Sequence, residues 1–438
     1  MHRLLLFITP LLAFAYGQDT AAAVENGLAL GESLATIMES GNFGSSMSKL
    51  ATSVGPYLGA IGPAVGIIMA FTGDQSDPQI EFMKTMLERI ETRFDQIDEQ
   101  FKQLTNQVNW NKYEIQLSKH ESTIRTLSTN LGAVYKASAS SRPGQIRSFI
   151  RTYDSNWKND HEVLMTYTTD TGLFHENLID MFKTYTENHC GKVQKFMLGL
   201  TDLILRGVSV ELAYLEFINE TASYKKDRKT HWTEEIKKMK TFMSKVDKNL
   251  RSSKVYLDQM SKDMDKLLTN NKGVKDSDFA TIAYSFLMEK YNWRDWLVVS
   301  YDDIKGGNNH NVKACGGVLK FRTQKRNLVI ASVQRSRTPI LKNSTSKMAA
   351  EKILEDLKIH KTIKTGLFKQ GRRTEIKGAK DIYKTLPSII RDKCSPYSGA
   401  GVIKTGSKTA FQAPPNRLLQ KRKKYKNYGT KYDTFLFG

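Results

Sequence analysis

The residue types that carry catalytic chemistry are thinly spread in this chain. Its eight histidines are scattered over 438 residues, and none stands in an H-E-x-x-H or other zinc-ligand spacing. His189 beside Cys190 has the components of an activated nucleophile, but a helix end next to a structural cysteine is the simpler reading. The run Gly401-Val-Ile-Lys-Thr-Gly406-Ser407-Lys408-Thr409 has the outline of a phosphate loop. It fails at Ser407, which stands where a lysine must directly follow the second glycine. There is no G-x-S-x-G elbow and no EF-hand loop. The sequence argues against an enzyme and calls for no cofactor and no metal.

The chemistry that does stand out is that of a membrane. Residues 50–73 contain no charged side chain, although both flanks are charge-rich. The centre reads Val54-Gly-Pro-Tyr-Leu-Gly-Ala-Ile-Gly-Pro-Ala-Val-Gly-Ile-Ile-Met-Ala-Phe71. As a helix this stretch reaches roughly 27 Å, close to the thickness of a bilayer core. Val54, Leu58, Ile61, Val65, Ile67, Ile68, Met69 and Phe71 are the residues expected to meet lipid. Gly55, Gly59, Gly62 and Gly66 form two G-x-x-x-G spacings that suit close helix packing. Together with Pro56 and Pro63 they also weaken a helix in water. An apolar, plastic segment suits a protein that is soluble first and enters a membrane later. A buried helix of a large soluble bundle fits the same residues.

The elements around that segment follow from periodicity. Arg3, the apolar run 4–14 and the small-x-small pattern Ala15-Tyr-Gly17 predict a secretory signal over residues 1–17, with the mature chain beginning near Gln18. Ile80, Met83, Leu87, Ile90, Phe94, Ile97, Phe101, Leu104 and Val108 keep a three-four spacing, predicting a helix from about 79 to beyond 117 and on toward 131. Further helices are expected near 145–167 and 173–189, and a central apolar helix over 193–218. A second seam from Trp232 to Leu267, with Ser253 in one slot, predicts a single helix over 230–268. A short helix at 277–290 closes a helical bundle spanning 18–290.

From residue 291 the pattern changes. Strands are expected at 296–301, 318–322 and 328–333, and a helix at 345–357. Residues 1–290 hold 34 Lys and Arg against 35 Asp and Glu, whereas 291–438 hold 32 against 10, so the last third carries the whole excess of the +21 net charge. A secreted basic domain meets acidic lipids, sulfated glycans or sialylated surfaces rather than nucleic acid. Lys421, Arg422, Lys423, Lys424 and Lys426, interleaved with aromatics of the tail, are the candidate contacts to an anionic surface. Three cysteines in an oxidising compartment predict one disulfide with one thiol left over, or an intermolecular bridge. Cys315 and Cys394 are the expected pair. Asn219 and Asn343 head glycosylation sequons.

The fold class expected is therefore α+β and multidomain: an all-α bundle, then a smaller basic, β-rich domain at 291–438. The Gly/Pro-rich uncharged segment, the amphipathic seams, the apolar helix at 193–218 and the basic C-terminal part together resemble the jellyfish (cnidarian) toxin family of cytolysins. That resemblance implies a helical domain like that of insecticidal crystal toxins and storage in a stinging capsule (nematocyst). It also implies homo-oligomers that permeabilise the target cell membrane, and no catalytic residues. The function expected is that of a secreted pore-forming cytolysin whose partners are membrane lipids or surface glycans. A secreted, non-lytic coiled-coil adhesion or glycan-binding matrix protein is the alternative.

Overall fold

The computed structural model describes residues 8–70, 78–106, 111–155, 159–170, 176–357, 360–364, 371–375, 378–404, 409–424 and 430–438. The chain divides into two compact units at Lys248/Asn249. This falls ahead of the expected 290/291, because the two helices that follow belong to the core of the C-terminal unit.

The N-terminal unit is all helical. Its helices are α1 (Ile8–Glu39), α2 (Phe43–Ala70), α3 (Pro78–Asn106), α4 (Asn111–Lys136), α5 (Arg142–Ser155), α6 (Asp160–Thr169), α7 (Leu178–Tyr185), α8 (Cys190–Phe217) and α9 (Ala222–Leu250). The expected signal cleavage near Gln18 falls inside α1. On α3 the periodic apolar side chains Ile80, Met83, Leu87, Ile90, Phe94, Ile97, Phe101 and Leu104 are all buried. Val108 lies outside the described residues. The helix expected at 145–167 is two helices, α5 and α6. The one expected at 173–189 is the shorter α7, which starts where Asn177 accepts from the amides of Ile179 and Asp180 and is followed by left-handed Glu187 and Asn188.

α8 is the axis of this unit. Every residue from Phe196 to Ala213 is buried, and α1 to α7 all pack against it, as expected of a helix apolar all round. Glycine makes two of those approaches possible. A Cβ on Gly199 would stand 2.1 Å from the Phe101 ring, and one on Gly207 2.5 Å from His161 Cβ.

The second seam does not form one helix. It breaks between α9 and α10 (Ser253–Asn270), with Ser252 in extended conformation as the N-cap of α10. The apolar spacing carries across Arg251-Ser-Ser253, but serines favour a cap over a helix interior.

The C-terminal unit has four layers. Helices α10 and α11 (Asp276–Lys290) cover a sheet of order β3-β4-β1-β8, built from β1 (Arg294–Asp302), β3 (Val318–Thr323), β4 (Arg326–Gln334) and β8 (Ala410–Gln412). The second sheet, of order β2-β7-β10-β9, holds β2 (His310–Ala314), β7 (Gly399–Lys404), β9 (Leu418–Lys424) and β10 (Lys431–Phe437). Helices α12 (Ser344–Glu355), α13 (Ala379–Lys384) and α14 (Ser388–Asp392) lie over its outer face, and β5 (His360–Lys364) pairs with β6 (Gly371–Glu375) as a separate hairpin. Strand alternation builds the layers: Trp296 and Val298 face α10 and α11, while Leu297, Val299 and Tyr301 meet Phe435 and Phe437 between the sheets. The three expected strands are present, and so is the helix after Asn343, whose side chain accepts from the Ser346 amide.

Candidate functional site: an apolar helix on a helical bundle

The uncharged segment forms α2, and within the described residues it is the helix long and apolar enough to cross a membrane. It continues through Pro56 and Pro63, both exposed. Val54, Leu58, Ile61, Val65 and Ile68 are buried, Ile67 and Met69 are half-buried, and Phe71 lies outside the described residues. One face of α2 is thus core and the other meets solvent.

Three contacts hold α2. The closest is with α1: a Cβ on Gly27 would stand 2.5 Å from Ala60 Cβ, and one on Gly31 2.2 Å from the Tyr57 ring. The sequence reading overlooked Gly27 and Gly31, although they repeat the same four-residue spacing. Gly55, Gly59, Gly62 and Gly66 lie on a different stripe. They face Thr233, Lys229 and Glu216, and Glu216 pairs with Lys225 at 2.8 Å beside Gly62 and Gly66. The second contact is a buried hydrogen bond of 3.0 Å between Tyr57 Oη and Ser209 Oγ of α8. In the third, buried Arg142 donates from Nη1 to the Ile68 carbonyl at 2.8 Å, placing a cation at the C-terminal end of α2.

The rest of the bundle is locked by charges that the sequence did not reveal as core. Arg206 of α8 reaches Asp95 at 3.0 Å, Glu91 at 3.2 Å and Asp98 at 2.9 Å on α3. Arg125 of α4 also pairs with Asp98, and Ser128 donates to Glu91. Asp202 is fully buried, its nearest cation is Arg206 at 3.8 Å, and neither of its oxygens accepts a hydrogen bond. Burial pushes its pKa up to about 7 against the pull of Arg206 and Arg125. A second network gathers on Glu211, which accepts from His161 at 2.6 Å, Arg228 at 2.5 Å and Trp232 Nε1 at 2.8 Å. Desolvation opposes its charge, yet hydrogen bonds from His161 and Arg228 hold it down at about 2.

In the C-terminal unit Cys315 and Cys394 are joined. The Cys190 thiol is buried and lies 3.9 Å from Asp247 Oδ1, with His189 as the N-cap of α8, so the pair closes a helix end. The basic run is not a solvated tail. It forms β9, where Lys421 reaches Glu355 at 2.5 Å, Lys423 donates to the Glu355 carbonyl at 2.8 Å, and Arg422 holds Asp433 at 2.8 Å. The side chains of Lys424 and Lys426 lie outside what the structure describes. Tyr432, Phe435 and Phe437, read above as part of a basic-aromatic tail, are core residues of β10. Their alternation is that of a strand buried on both faces. Among the described residues, no group of three or more His, Cys, Asp or Glu side chains is placed to hold a metal ion.

Comparison with known families gives one match. Residues 73–274, which take in α3 to α10, match the model described as the cephalotoxin-like middle helical domain. The match supports a toxin-like family, in keeping with the cnidarian resemblance noted above. It leaves α2 and the β-sandwich outside its bounds. Searches of curated proteins and of solved structures return no match.

Proposed function

We propose that this chain is a secreted pore-forming toxin that binds target cell membranes, oligomerises there and permeabilises them by inserting α2. The observation that carries the reading is the state of α2. It is a helix of 28 residues without a charge after Lys49, resting on the bundle by one face only, in a chain with a toxin-type helical domain. Leaving the bundle strands few polar groups of α2, since among the described residues only Ser46, Tyr57 and the Ile68 carbonyl are hydrogen-bonded to other helices through side chains. Entering lipid removes its solvent-facing side from water, at about 25 cal/mol per Å² of apolar area. Packing against α1 and α8 opposes this, so membrane contact or assembly must supply the trigger.

The test is dye release from vesicles containing acidic lipid. Wild type should release dye in a saturable way. Ile67→Asp should bind vesicles as wild type does yet release nothing, because a carboxylate inside the uncharged stretch opposes insertion. Full release by that variant would exclude α2 as the inserting element.

A further inference from the structure

We infer that one pole of the C-terminal sandwich, where β1 ends and β2 begins, is the face that docks on anionic lipid. The inference rests on the membrane-active reading and gives it a binding surface.

The pole is organised by the loop 305–309. The Asn309 side chain donates to the Lys305 carbonyl at 2.9 Å, the Lys404 amide donates to the Asn309 carbonyl at 2.6 Å, and the Lys380 amide donates to the Gly307 carbonyl at 2.8 Å. Three exposed lysines from distant parts of the chain therefore surround one short loop. Exposed Lys431 begins the neighbouring strand β10, and its cross-strand partner is Lys424. No acidic partner engages Lys305, Lys380, Lys404 or Lys431 among the described residues. Among the acids at this end are Asp302 and Asp381, both half-buried, and Asp303, which holds Arg322 at 3.0 Å.

The opposite pole shows what cations look like when they serve the fold. There Arg417 and Arg335 share Asp295 at 2.5 and 3.2 Å, and Arg294 donates to Ser332 Oγ at 2.6 Å. Those are fixed arginines with internal partners; the loop pole carries lysines without them.

Apolar side chains decide between a bilayer and a sulfated glycan. Leu319 and Phe321 on edge strand β3 are 37% and 42% exposed, and the Phe321 ring lies 4.7 Å from that of His310, the residue after the loop. The hairpin that carries them turns through Arg322, Gln324 and Lys325, all three in the left-handed region without glycine, a strained backbone of the kind kept at working sites. A polyanionic sugar chain needs only the cations. A headgroup region takes both the cations and the aromatic and aliphatic side chains.

The full chain should be tested on phosphatidylcholine vesicles with and without phosphatidylserine. The triple variant Lys305→Gln, Lys404→Gln, Lys431→Gln should lose about a hundredfold in affinity for the acidic vesicles. A control of equal charge, Lys342→Gln, Lys347→Gln, Lys352→Gln on and beside α12, should lose far less. Leu319→Ser with Phe321→Ser should lose about tenfold. Equal losses in the two triple variants would overturn the assignment. So would loss of heparin binding by the pole variant with vesicle binding intact, which would make the face a glycan site. Binding through the pole without dye release from wild type would keep this inference and refute insertion. Release by wild type with unaltered binding by the pole variants would do the reverse.

Discussion

Two apolar helices lie in the N-terminal unit, α2 and α8, and they are held in opposite ways. α8 is buried on every side and carries Asp202, Arg206 and Glu211 inward; Arg206 and Glu211 meet partners on other helices, and Asp202 lies against Arg206 of α8 itself. α2 is buried on one side, has no charge after Lys49, and among the described residues is tied to other helices by three hydrogen bonds, from Ser46 to the Ile37 carbonyl, between Tyr57 and Ser209, and from Arg142 to the Ile68 carbonyl. A helix that must stay keeps its charges inside, since removing it would strand every partner in the core. A helix that is to leave keeps none.

The sharpest way to break the contrast is to remove the centre of the α8 network. Arg206→Ala leaves Asp202 buried without its nearest cation and Asp98 with Arg125 alone, and should cost about 3–5 kcal/mol, read from urea unfolding. Next comes pH. The folded chain holds the Asp202 proton up to about 7, against an ordinary 3.8. Between those values the unfolded chain has lost a proton that the folded chain keeps, so stability is full below 3.8 and falls as pH rises to about 7. The fall is at most about 1.4 kcal/mol per pH unit and levels off above that range. Glu91, also raised by burial, adds to it. Glu211 has the opposite sign, its contribution being lost as pH falls from 4.5 toward about 2. Asp202→Asn should flatten the profile between about pH 4 and pH 7 in equilibrium unfolding; an unchanged slope would assign it to other groups.

Smaller effects sharpen the α2 side. Gly31→Ala forces a methyl into the Tyr57 ring and should lower stability by about 1–3 kcal/mol, in a thermal or urea melt. Ile67→Asp, at a half-buried position, should cost about 1 kcal/mol or less in the same melt while abolishing release. A loss as large as that of Arg206→Ala would make α2 as essential to the soluble fold as α8.

Much of this contrast was legible in the residues. The absence of charge over 50–73 marks α2, and the unbroken three-four spacing from Ile80 to Leu104 marks α3. Short β-branched and apolar runs mark β1 and β4. What stayed hidden depends on tertiary partners. Asp202, Arg206 and Glu211 look like interruptions of an apolar run until Glu91, Asp98, His161 and Arg228 are placed against them. The break at Ser252 is masked because apolar spacing continues on both sides. The basic run at Lys421 reads as a free tail because the acids that engage it, Glu355 and Asp433, are supplied by another helix and the next strand. Strand β7 is obscured by Gly399 and Gly401, whose missing side chains admit Leu297 and Phe435 of the facing and neighbouring strands.

The central claim, that α2 leaves the bundle, is tested most directly by a reversible tether. A Cβ at Gly55 would lie 3.5 Å from Thr233 Cγ2 on α9, close enough for Gly55→Cys and Thr233→Cys to be joined as a disulfide. Oxidised, the double variant should bind acidic vesicles and release no dye; reduction in place should restore release to the wild-type level. Equal release before and after reduction, with the bridge verified, would contradict the account.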